Sequence, residues 1–475
     1  MKQVAIIGGG ISGLTAAFHL EKARALGSDL RYTVLEAGQR LGGSLYSDRV
    51  EGCLVEAGPD SFLTEKPWAL TLCKELGIDD QLIGSNDAQR KTYIVVNNRL
   101  IAMPDGLMFM VPTKLVPTAL SPLFSWGTKI RMARELMHPP RPMENDETVG
   151  ELVERHFGVE VVDRLADPLL SGVYGGDANK LSARAVLPRF VEMEEKYGSL
   201  SKAMLAAHRK MKASAGKQPP RPLFSSLKDG MQQMLDAIVA RLDPSMLRLR
   251  TRVRAVYPQG DRWRLAIDMG GNEVFDAVIV ATPANVSGAL LEGVDRDMAE
   301  DLLGVTYGSS VTVTMGYHMD QLKPLPPGFG FLVPRSEGRR MLACTFVHNK
   351  FPHRAPADKG MLRCFLGGAR DEGVLNLTDD EILDTVRKEL QEIVKLKAPP
   401  MFDRIYRWRG AMAQYESGHI ARVARIEKRL KDIPGLEIAG NAYHGIGVPD
   451  CIREGMNAAN SVVQTLSTPA AQQAR

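Results

Sequence analysis

The chain begins with the stretch Gln3-Val-Ala-Ile-Ile-Gly-Gly-Gly-Ile-Ser-Gly13, in which a short apolar run leads into glycines spaced Gly-x-Gly-x-x-Gly. The run is β-branched and short, so it predicts a buried parallel strand. Gly8 permits a tight turn, Gly10 lets the backbone approach a pyrophosphate, and Gly13 lets the next helix pack on the strand. A helix from about Ile11 would point its free N–H groups at the phosphates. The stretch therefore predicts a dinucleotide site, and the alternative is a glycine-rich turn without a ligand.

The residues after the second strand favour FAD over NAD. Tyr32 to Leu35 predicts that strand, and Glu36 at its end can accept hydrogen bonds from a ribose diol. Arg40 and the pair Gly42-Gly43 follow, which suits phosphate pairing and a second close backbone approach to an extended cofactor. Near the C-terminus, Ala439-Gly440-Asn441 and Gly445 to Asp450 offer a third approach, with a helix start aimed at the flavin pyrimidine edge. The alternative is a fold relative that lost catalysis and binds only proteins or lipids.

Composition excludes several other classes of protein. The net charge of +4 over 475 residues, without a basic stripe among aromatics, gives no indication of nucleic-acid binding. The five cysteines form no C-x-x-C pair, which favours a reducing compartment, and the nine histidines show no metal spacing, so we predict no metal. The uncharged stretch Gln3 to Leu20 contains four glycines and changes from strand to helix, so it does not predict a membrane span. We predict a cytoplasmic protein, with peripheral contact to the inner face of the cell membrane as an open alternative.

Strand patterns at the start, middle and end of the chain predict an α/β fold with a discontinuous Rossmann-like domain. Besides the N-terminal unit, Phe275 to Ala281 and Leu436 to Gly440 have the pattern of buried strands, and hairpin strands precede the first of them. Thr378-x-x-Glu381 is a capping box ahead of an apolar helical stripe. The predicted domains are an FAD-binding domain (1–64, 223–290 and 431–475), an α+β substrate domain (65–104, 213–222 and 291–430) and a helical domain (105–212).

The helical insertion combines apolar and basic residues. Met108 to Met137 is apolar, with Lys114, Lys129, Arg131 and Arg134 spaced through it. Its prolines, Pro112, Pro117 and Pro122, prevent a long straight helix. The stretch suits a membrane-facing or substrate-entry surface, and the alternative is an ordinary helical cap packed on the core.

Further motifs give a family resemblance over nearly the whole chain. The chain resembles the oxygen-dependent protoporphyrinogen and coproporphyrinogen oxidases of haem biosynthesis, a branch of the flavin-containing amine oxidase superfamily. The stretch around Gly172 is the most specific to that branch. The motifs are Val55-Glu-Ala-Gly-Pro-Asp-Ser-Phe62, Asp167-Pro-Leu-Leu-Ser-Gly-Val-Tyr-Gly-Gly-Asp177, Lys180-Leu-Ser182, Gly328-Phe-Gly-Phe-Leu-Val-Pro334, Phe365-Leu-Gly-Gly368, Arg407-Trp408, Gln414-Tyr415 and Gly418-His419.

The resemblance implies an amine-oxidase-type fold and assigns residues to the cofactor and to the substrate. With the motifs above, the residues expected to contact FAD are Gly8, Gly9, Gly10, Ile11, Ser12, Gly13, Glu36, Ala37, Arg40, Gly42, Gly43, Gly58, Pro59, Asp60, Ser61, Val253, Thr282, Trp408, Gly440, Ile446, Gly447 and Val448. Those expected to bind the substrate are Gly172, Phe329, Leu332, Phe365 and Lys91. Phe329, Leu332 and Phe365 suit the apolar walls of a tetrapyrrole cavity, and the alternative is that they belong to the core.

One position bears on substrate choice. Protoporphyrinogen-type relatives commonly carry an Arg just before the aromatic residue of the stretch that reads Lys91-Thr-Tyr-Ile94 here, and this chain has Thr92. The stretch resembles the Gram-positive branch, which implies oxidation of coproporphyrinogen III to coproporphyrin III. Arg90 or Lys91 could replace the missing charge, so protoporphyrinogen IX stays open as a substrate. Arg335 and Lys350 are further candidate cations for the propionates.

The implied chemistry is a six-electron oxidation in which three O₂ become three H₂O₂. Flavin N5 accepts the hydride, so we predict no catalytic side-chain base. The expected partners are the tetrapyrrole, O₂, a membrane surface and an enzyme of the haem pathway. The alternatives on the same fold are an amine oxidase, a carotenoid desaturase or a non-catalytic binding protein.

Overall fold

The parallel sheet that carries the N-terminal strand defines the centre of the fold. In the computed structural model, the structure describes residues 1–108, 110–214, 221–268 and 271–467. The strand order is β12-β2-β1-β16-β22, and every pairing between these strands is parallel. Apolar residues such as Val4, Ile6 and Ile279 are fully buried, because both faces of the sheet are covered. The strands are β1 (Lys2–Ile7), β2 (Leu30–Leu35), β12 (Leu247–Arg248), β16 (Ala277–Val280) and β22 (Leu436–Ile438).

Different elements cover the two faces of the parallel sheet. One face packs against helices in a single apolar cluster, and these helices are α1 (Ile11–Ala25), α2 (Pro67–Leu76), α11 (Gln232–Val239) and α17 (Val448–Ser467). The other face packs against an antiparallel sheet and further helices, namely β13 (Val253–Gln259), β14 (Arg262–Ile267), β15 (Gly271–Phe275), α12 (Ala284–Leu291), α13 (Arg296–Leu303) and α16 (His419–Lys431). The three predicted strand regions of the Rossmann-like unit therefore lie in one layered structure.

A mixed sheet forms the second large unit, in the order β21-β17-β20-β19-β18-β7-β8. The capping box at Thr378 begins a helix whose apolar stripe (Ile382, Val386, Leu390 and Ile393) is buried against this sheet, as predicted. The strands and helices are β7 (Thr92–Val96), β8 (Arg99–Ala102), β17 (Tyr307–His318), β18 (Gly330–Leu332), β19 (Met341–Phe346), β20 (Lys359–Gly367), β21 (Phe402–Ala413), α14 (Val347–Lys350) and α15 (Asp379–Val394).

Short strands form further small sheets. They are β3 (Ser47–Val50) with β4 (Cys53–Glu56), β11 (Phe224–Leu227) between β5 (Phe62–Leu63) and β6 (Leu82–Gly84), and β9 (Leu107–Met108) with β10 (Val111–Pro112).

The insertion between β10 and β11 is helical. Its helices are α3 (Leu115–Leu120), α4 (Trp126–Glu135), α5 (Val149–Phe157), α6 (Val159–Val161), α7 (Asp167–Tyr174), α8 (Ala183–Val186), α9 (Pro188–Tyr197) and α10 (Leu200–Ser214). The prolines keep α3 to little more than one turn, as predicted. None of the helices in the described part of the chain combines the length and the hydropathy that a membrane span requires.

A group of charged residues joins these helices, and we call it the helical cluster: Glu135, Glu147, Arg155, His156 and Glu194. Glu135, His156 and Glu194 are buried, and Glu147 and Arg155 are partly exposed. The His156 ring contacts Glu135 through Nδ1 and Glu194 through Nε2, each at 3.1 Å. Arg155 pairs with Glu194 and, at 2.6 Å, with Glu147. Glu135 also accepts from Leu200 N at 2.6 Å, so a carboxylate at the end of α4 caps the first turn of α10.

The predicted domain boundaries stay a prediction. The strands of the parallel sheet lie within the three segments proposed for the FAD-binding domain. However, α2 lies in the segment proposed for the substrate domain, and its buried residues Leu72 and Leu76 pack in the apolar cluster of α1 and α17. Of the predicted segment 213–222, residues 215–220 lie outside the described residues.

Candidate active site

The turn between β1 and α1 has the geometry that its glycines predict. Gly8 has a φ of +108°, and a Cβ there would lie 2.5 Å from Ala281 O. A Cβ at Gly13 would lie 2.0 Å from Gly8 O, so only glycine lets α1 pack so closely. At Gly10 a Cβ would meet nothing within 4 Å, so open space lies next to the turn. Helix α1 begins here without a side-chain cap or an acidic residue in its first turn, so its N-terminus suits a phosphate.

Glu36 ties two segments of this site together. Its Oε2 accepts from Gly9 N at 2.7 Å, and its Oε1 accepts from Gly38 N at 2.6 Å. Each carboxylate oxygen keeps a free lone-pair direction for the predicted ribose contact. The carboxylate therefore also fixes the phosphate turn against the segment that contains Ala37, a structural role that the sequence did not indicate.

Arg40 is exposed, and its contacts in the structure are with its own loop. Its guanidinium donates to the carbonyls of Leu41, Gly43 and Leu45, and it stacks over the Tyr46 ring at 5.0 Å. It thus holds the loop that contains Gly42 and Gly43, both of which have positive φ. Phosphate pairing by Arg40 stays a prediction. In the same loop, Gly42 N donates to Gly9 O at 2.7 Å, so the second glycine pair packs on the first turn.

The peptide at Ala57 and Gly58 is held by donors from the mixed sheet. Ala57 O accepts from Thr312 Oγ1 and Trp408 Nε1, each at 3.0 Å, and from Arg363 Nη2 at 3.3 Å. Arg363 Nη2 also donates to Gly58 O. A Cβ at Gly58 would lie 1.9 Å from Ser44 O, so glycine is required there. The predicted flavin contacts Gly58 and Trp408 are therefore brought together, through the carbonyl of Ala57.

Strand register explains why these donors converge. Thr312 lies opposite Phe365, and Thr314 lies opposite Arg363, in the antiparallel pairing of β17 and β20. Directly opposed residues share a face of the sheet, and so do residues two apart on one strand. One face of the mixed sheet thus carries Thr312, Thr314, Arg363 and Phe365 toward the Ala57 segment.

The same register extends to the predicted substrate walls. Leu332 lies opposite Ala343 on β19, which in turn lies opposite Phe365, so both wall residues share the face described above. A Cβ at Gly172 would lie 3.8 Å from the Leu332 side chain, so α7 faces this row. Phe329, Leu332 and Phe365 are each only half-buried, whereas Phe331, on the opposite face, is 1% exposed. Phe329, Leu332 and Phe365 therefore leave apolar surface accessible.

The predicted rim cations differ in what they contact. Lys91 is exposed, its Nζ lies 5.8 Å from the Tyr93 ring centre, and its carbonyl accepts from Phe329 N at 2.8 Å. In contrast, Arg335 pairs with Asp177 at 3.0 Å, and Lys350 pairs with Asp60 at 3.1 Å. Lys91 thus adjoins a wall residue, whereas Arg335 and Lys350 already have carboxylate partners.

The C-terminal segment meets the phosphate turn at the start of α17. Gly440 and Gly445 have φ values of +151° and +138°. Tyr415 Oη donates to Asn441 O and accepts from Gly445 N, both at 2.8 Å, which fixes the loop before Ile446, Gly447 and Val448. A Cβ at Gly455 would lie 2.2 Å from Ser12 O, so α17 packs closely against α1. The start of α1 therefore packs against the second turn of α17. The hydrogen bonds of Tyr415 join residues 26 and 30 positions apart, so no local pattern predicts them.

The structure also gives the positions of the remaining predicted cofactor residues. Val253 is buried at the start of β13, in the cluster that contains Leu35. Thr282 lies between two glycines of the site. A Cβ built at Gly8 would lie 3.3 Å from Thr282 Cγ2, and a Cβ built at Gly440 would lie 3.6 Å from Thr282 O. Pro59 and Ser61 flank Asp60, and Ser61 Oγ donates to it at 2.6 Å. Contact of each of these residues with FAD stays a prediction.

A second buried group of charges lies behind the Ala57 peptide, and we call it the interface cluster: Glu56, Asp60, Lys350, Arg354 and Arg363. Arg354 is 1% exposed and lies 3.1 Å from Glu56 Oε1. Lys350 Nζ lies 3.1 Å from both oxygens of Asp60. Arg363 holds the carbonyls of Ala57 and Gly58, as described above. Sequence reasoning missed Glu56, Arg354 and Arg363 as functional residues, because no local pattern connects segments about 300 positions apart.

Burial shifts most pKa values in the interface cluster toward the neutral forms. It raises the pKa of Glu56 and outweighs the nearby charge of Arg354. It lowers the pKa of Lys350 despite Asp60, and that of Arg363 despite Asp60 and Glu56. The pKa of Asp60 shifts toward the charged form instead: burial raises it, but Lys350, Arg363 and Arg354 outweigh this and hold it below its usual range. Asp60 is therefore held ionised by the cations around it.

The residues present fit FAD. The open space next to Gly10, the uncapped start of α1 and the glycines that bring three backbone segments together leave room for a dinucleotide. Within the described ranges, no group of three His, Cys, Asp or Glu side chains could hold a metal ion.

Comparison with known proteins agrees with this geometry. Residues 11–463 match the family model of the flavin-containing amine oxidoreductases. The coproporphyrinogen III oxidase of Bacillus subtilis (strain 168) is 33% identical over 470 residues, 98% of this chain and 98% of that protein. Protoporphyrinogen oxidase 2, chloroplastic/mitochondrial, of Arabidopsis thaliana is 30% identical over 497 residues, 98% of this chain and 95% of that protein.

A crystal structure from Exiguobacterium sp. 255-15 is similar along its whole length. It has a TM-score of 0.86 and 32% identity, and the match covers 98% of this chain and 99% of that chain. These findings confirm the predicted fold class, the oxidoreductase activity, the FAD cofactor and the resemblance to the porphyrinogen oxidases. The chain belongs to the flavin-containing amine oxidoreductase family.

Proposed function

We propose that the protein oxidises coproporphyrinogen III to coproporphyrin III, with three O₂ reduced to three H₂O₂. The observation that carries the proposal is the row of half-buried apolar side chains next to the clamped Ala57-Gly58 peptide. A large, flexible and electron-rich macrocycle needs such apolar walls, because they hold its rings without competing hydrogen bonds. The identity with a coproporphyrinogen III oxidase over nearly the full length supports the same substrate class.

FAD, when bound, would supply the two-electron chemistry, namely acceptance of hydride from a methylene bridge and reduction of O₂. The protein orients the macrocycle between apolar walls. Phe329 and Phe365 would lie along the rings, and Leu332 with Gly172 would close the cavity on the side of α7. These walls carry no proton acceptor, so a pyrrole N–H releases its proton to water.

Lys91 supports a preference for coproporphyrinogen III, which carries more propionates than protoporphyrinogen IX. Its backbone carbonyl bonds to Phe329 N, and its ammonium is exposed, so a carboxylate at the edge of the macrocycle could reach it. Next to it, the half-buried Thr92 occupies the position where protoporphyrinogen-type relatives commonly have Arg. Protoporphyrinogen IX is the alternative substrate, supported by the identity with the Arabidopsis thaliana protein.

The decisive experiment compares the rates at which the FAD-loaded enzyme oxidises the two porphyrinogens. Porphyrin fluorescence should appear faster with coproporphyrinogen III, and Lys91→Met should reduce that preference by about tenfold, as for one charge-assisted contact. Lys323→Met removes an exposed lysine from another part of the surface and serves as the control. Inertness toward both substrates would contradict the proposal, and a preference for protoporphyrinogen IX would favour the alternative.

We also propose that one face of the helical insertion contacts an anionic membrane surface. Val116, Leu120, Trp126, Ile130 and Met137 are between 53% and 79% exposed. Basic residues accompany them, and Lys129 Nζ lies 4.5 Å from the Trp126 ring centre. Exposed apolar residues with lysine and arginine beside them suit the interface of an anionic bilayer. That an enzyme of the haem pathway binds the chain stays a prediction.

Co-sedimentation with vesicles tests this contact. Binding to phosphatidylglycerol vesicles should exceed binding to phosphatidylcholine vesicles, and Trp126→Ser with Leu120→Ser should weaken it. Leu26→Ser is the matched control, because Leu26 is 88% exposed at the end of α1. Equal sedimentation of the wild type with both vesicle types would overturn the charge argument.

A further inference from the structure

A small cavity lies inside the interface cluster, behind the Ala57-Gly58 peptide. Its volume of about 10 Å³ is close to the smallest that holds a single water-sized occupant. Its polar walls are Glu56, Asp60, Thr314, Arg354 and Arg363, and the others are apolar. The cavity belongs to the contact between β4 and the mixed sheet, and the predicted functional residues do not line it apart from Asp60.

Three of the wall residues have a buried polar atom without a protein partner. These atoms are Arg354 Nε, Arg363 Nε and Thr314 Oγ1. The residues are only 1%, 5% and 2% exposed, so bulk water cannot satisfy these atoms. Both guanidinium nitrogens can only donate, and the hydroxyl can donate as well. A buried donor without an acceptor is costly, so three around one cavity indicate an occupant that accepts hydrogen bonds.

The acceptors of the same walls are already engaged. Glu56 accepts from Ser47 Oγ, Met231 N and Arg354, and Asp60 accepts from Ser61 Oγ and Lys350. The occupant therefore faces donors that lack partners and carboxylates that have them. An anion suits that arrangement better than water, because water would also need acceptors for its own hydrogens.

The charges of the cluster point to the same occupant. Lys350, Arg354 and Arg363 are the cations, and Glu56 and Asp60 the carboxylates, which leaves one positive charge in excess when all are ionised. Burial opposes the charged forms of Glu56, Lys350 and Arg363 alike, so the excess is that of the fully ionised cluster. An uncompensated buried cation is unfavourable, and one small anion would balance it.

We propose that this cavity binds a small monovalent anion, chloride in the cell, between Arg354, Arg363 and Thr314. The site depends only on these side chains. Its consequence for the flavin rests on the proposed function: Arg363 also holds the Ala57 and Gly58 carbonyls, so an anion on its Nε would fix the guanidinium that clamps this peptide.

Anomalous diffraction tests the site directly. Crystals of the FAD-loaded enzyme grown in sodium bromide should show an anomalous bromine peak within contact distance of Arg354 Nε and Arg363 Nε. No peak, with a water or no density in the cavity, would overturn the proposal. The result does not depend on which substrate the enzyme oxidises, so failure of this proposal can be distinguished from failure of the proposed function.

A measurement of thermal unfolding in solution tests the role of Thr314. At constant ionic strength, replacing sodium gluconate by sodium chloride should raise Tm in a saturable manner. Thr314→Val should weaken the apparent chloride affinity by about tenfold, as expected for one hydrogen bond to a charged group. Thr385→Val, at an exposed threonine on α15, should leave that affinity unchanged. Equal affinities in wild type and Thr314→Val would contradict the assignment of Thr314.

Discussion

The interface cluster and the helical cluster contain similar charged residues, but the pKa values of these residues shift in different directions. In the helical cluster His156 lies between Glu135 and Glu194, and burial is outweighed: the pKa of His156 is raised, and that of Glu194 is lowered to about 2. In the interface cluster burial prevails at Glu56, Lys350 and Arg363. Hydrogen bonds to the charged forms are the cause of the difference.

This difference in pKa shifts indicates that the helical cluster is a structural network, whereas the interface cluster is a candidate binding site. The helical cluster joins α4, α5, α9 and α10, and its carboxylates meet donors from several of these helices. The interface cluster keeps unpartnered donors at a cavity and holds the peptide predicted to contact the flavin. Partly satisfied charges are costly for folding, so their presence beside a predicted cofactor indicates that something else satisfies them.

Replacing Arg363 should have the largest effect. Arg363→Met removes a buried cation from Asp60 and Glu56 and two hydrogen bonds from the Ala57-Gly58 peptide. We expect the free energy of unfolding to fall by about 4 kcal/mol and FAD binding to weaken. Denaturant unfolding and flavin titration measure the two effects. Arg425→Met, in an exposed pair with Asp301, is the control and should change neither quantity. Similar losses of stability and FAD affinity in both variants would contradict the special role of Arg363.

Breaking the helical cluster should reduce stability and leave flavin chemistry intact. Glu194→Gln leaves Arg155 and His156 with weaker partners, so we expect a loss of about 3 kcal/mol in the free energy of unfolding. FAD affinity and kcat should stay at wild-type values. The matched control is Glu195→Gln, on the exposed side of the same helix. A large fall in kcat at full FAD occupancy would mean that the helical cluster also serves the active site.

The pH dependence of the free energy of unfolding should reveal the titration of His156. Burial lowers its pKa, but hydrogen bonds to Glu135 and Glu194 outweigh this and raise it above the ordinary 6.5. Its stabilisation is therefore complete below pH 6.5 and is lost as pH rises through the raised value. The slope cannot exceed about 1.4 kcal/mol per pH unit, the limit for one proton. His156→Gln should flatten this part of the curve, and an unchanged slope would show that another group titrates.

Glu56→Gln should have the smallest effect, although its target is as deeply buried as Glu194. Burial opposes the charged form of Glu56 and raises its pKa, so exchanging the carboxylate for a neutral amide should cost less than at Glu194, and we expect a loss below about 1 kcal/mol. The comparison with Glu194→Gln, measured by denaturant unfolding at one pH, is the sharpest test of the contrast. Equal losses for the two substitutions would mean that the pairing of Glu56 with Arg354 outweighs the effect of burial.

Much of the cofactor site could be predicted because its determinants are local. Gly8, Gly10 and Gly13 follow a strand and begin a helix at adjacent positions, and Glu36 ends the next strand. Backbone conformation and helix geometry act over a few residues, so such spacing is visible in the chain. The partners of Arg40 and Lys350 were less accessible to prediction, because the nearest carbonyl or carboxylate decides what a long cationic side chain contacts.

The sequence by itself determined the dinucleotide turn, the strand and helix periodicities and the family. Only the tertiary structure decided which charges meet inside. Asp60 meets Lys350 of α14, 290 positions away. Arg363 reaches Gly58, 305 positions away, because strand register turns its side chain toward that segment. Local propensities act over a turn or a strand, whereas the free energy of a buried charge depends on every neighbour that folding brings to it.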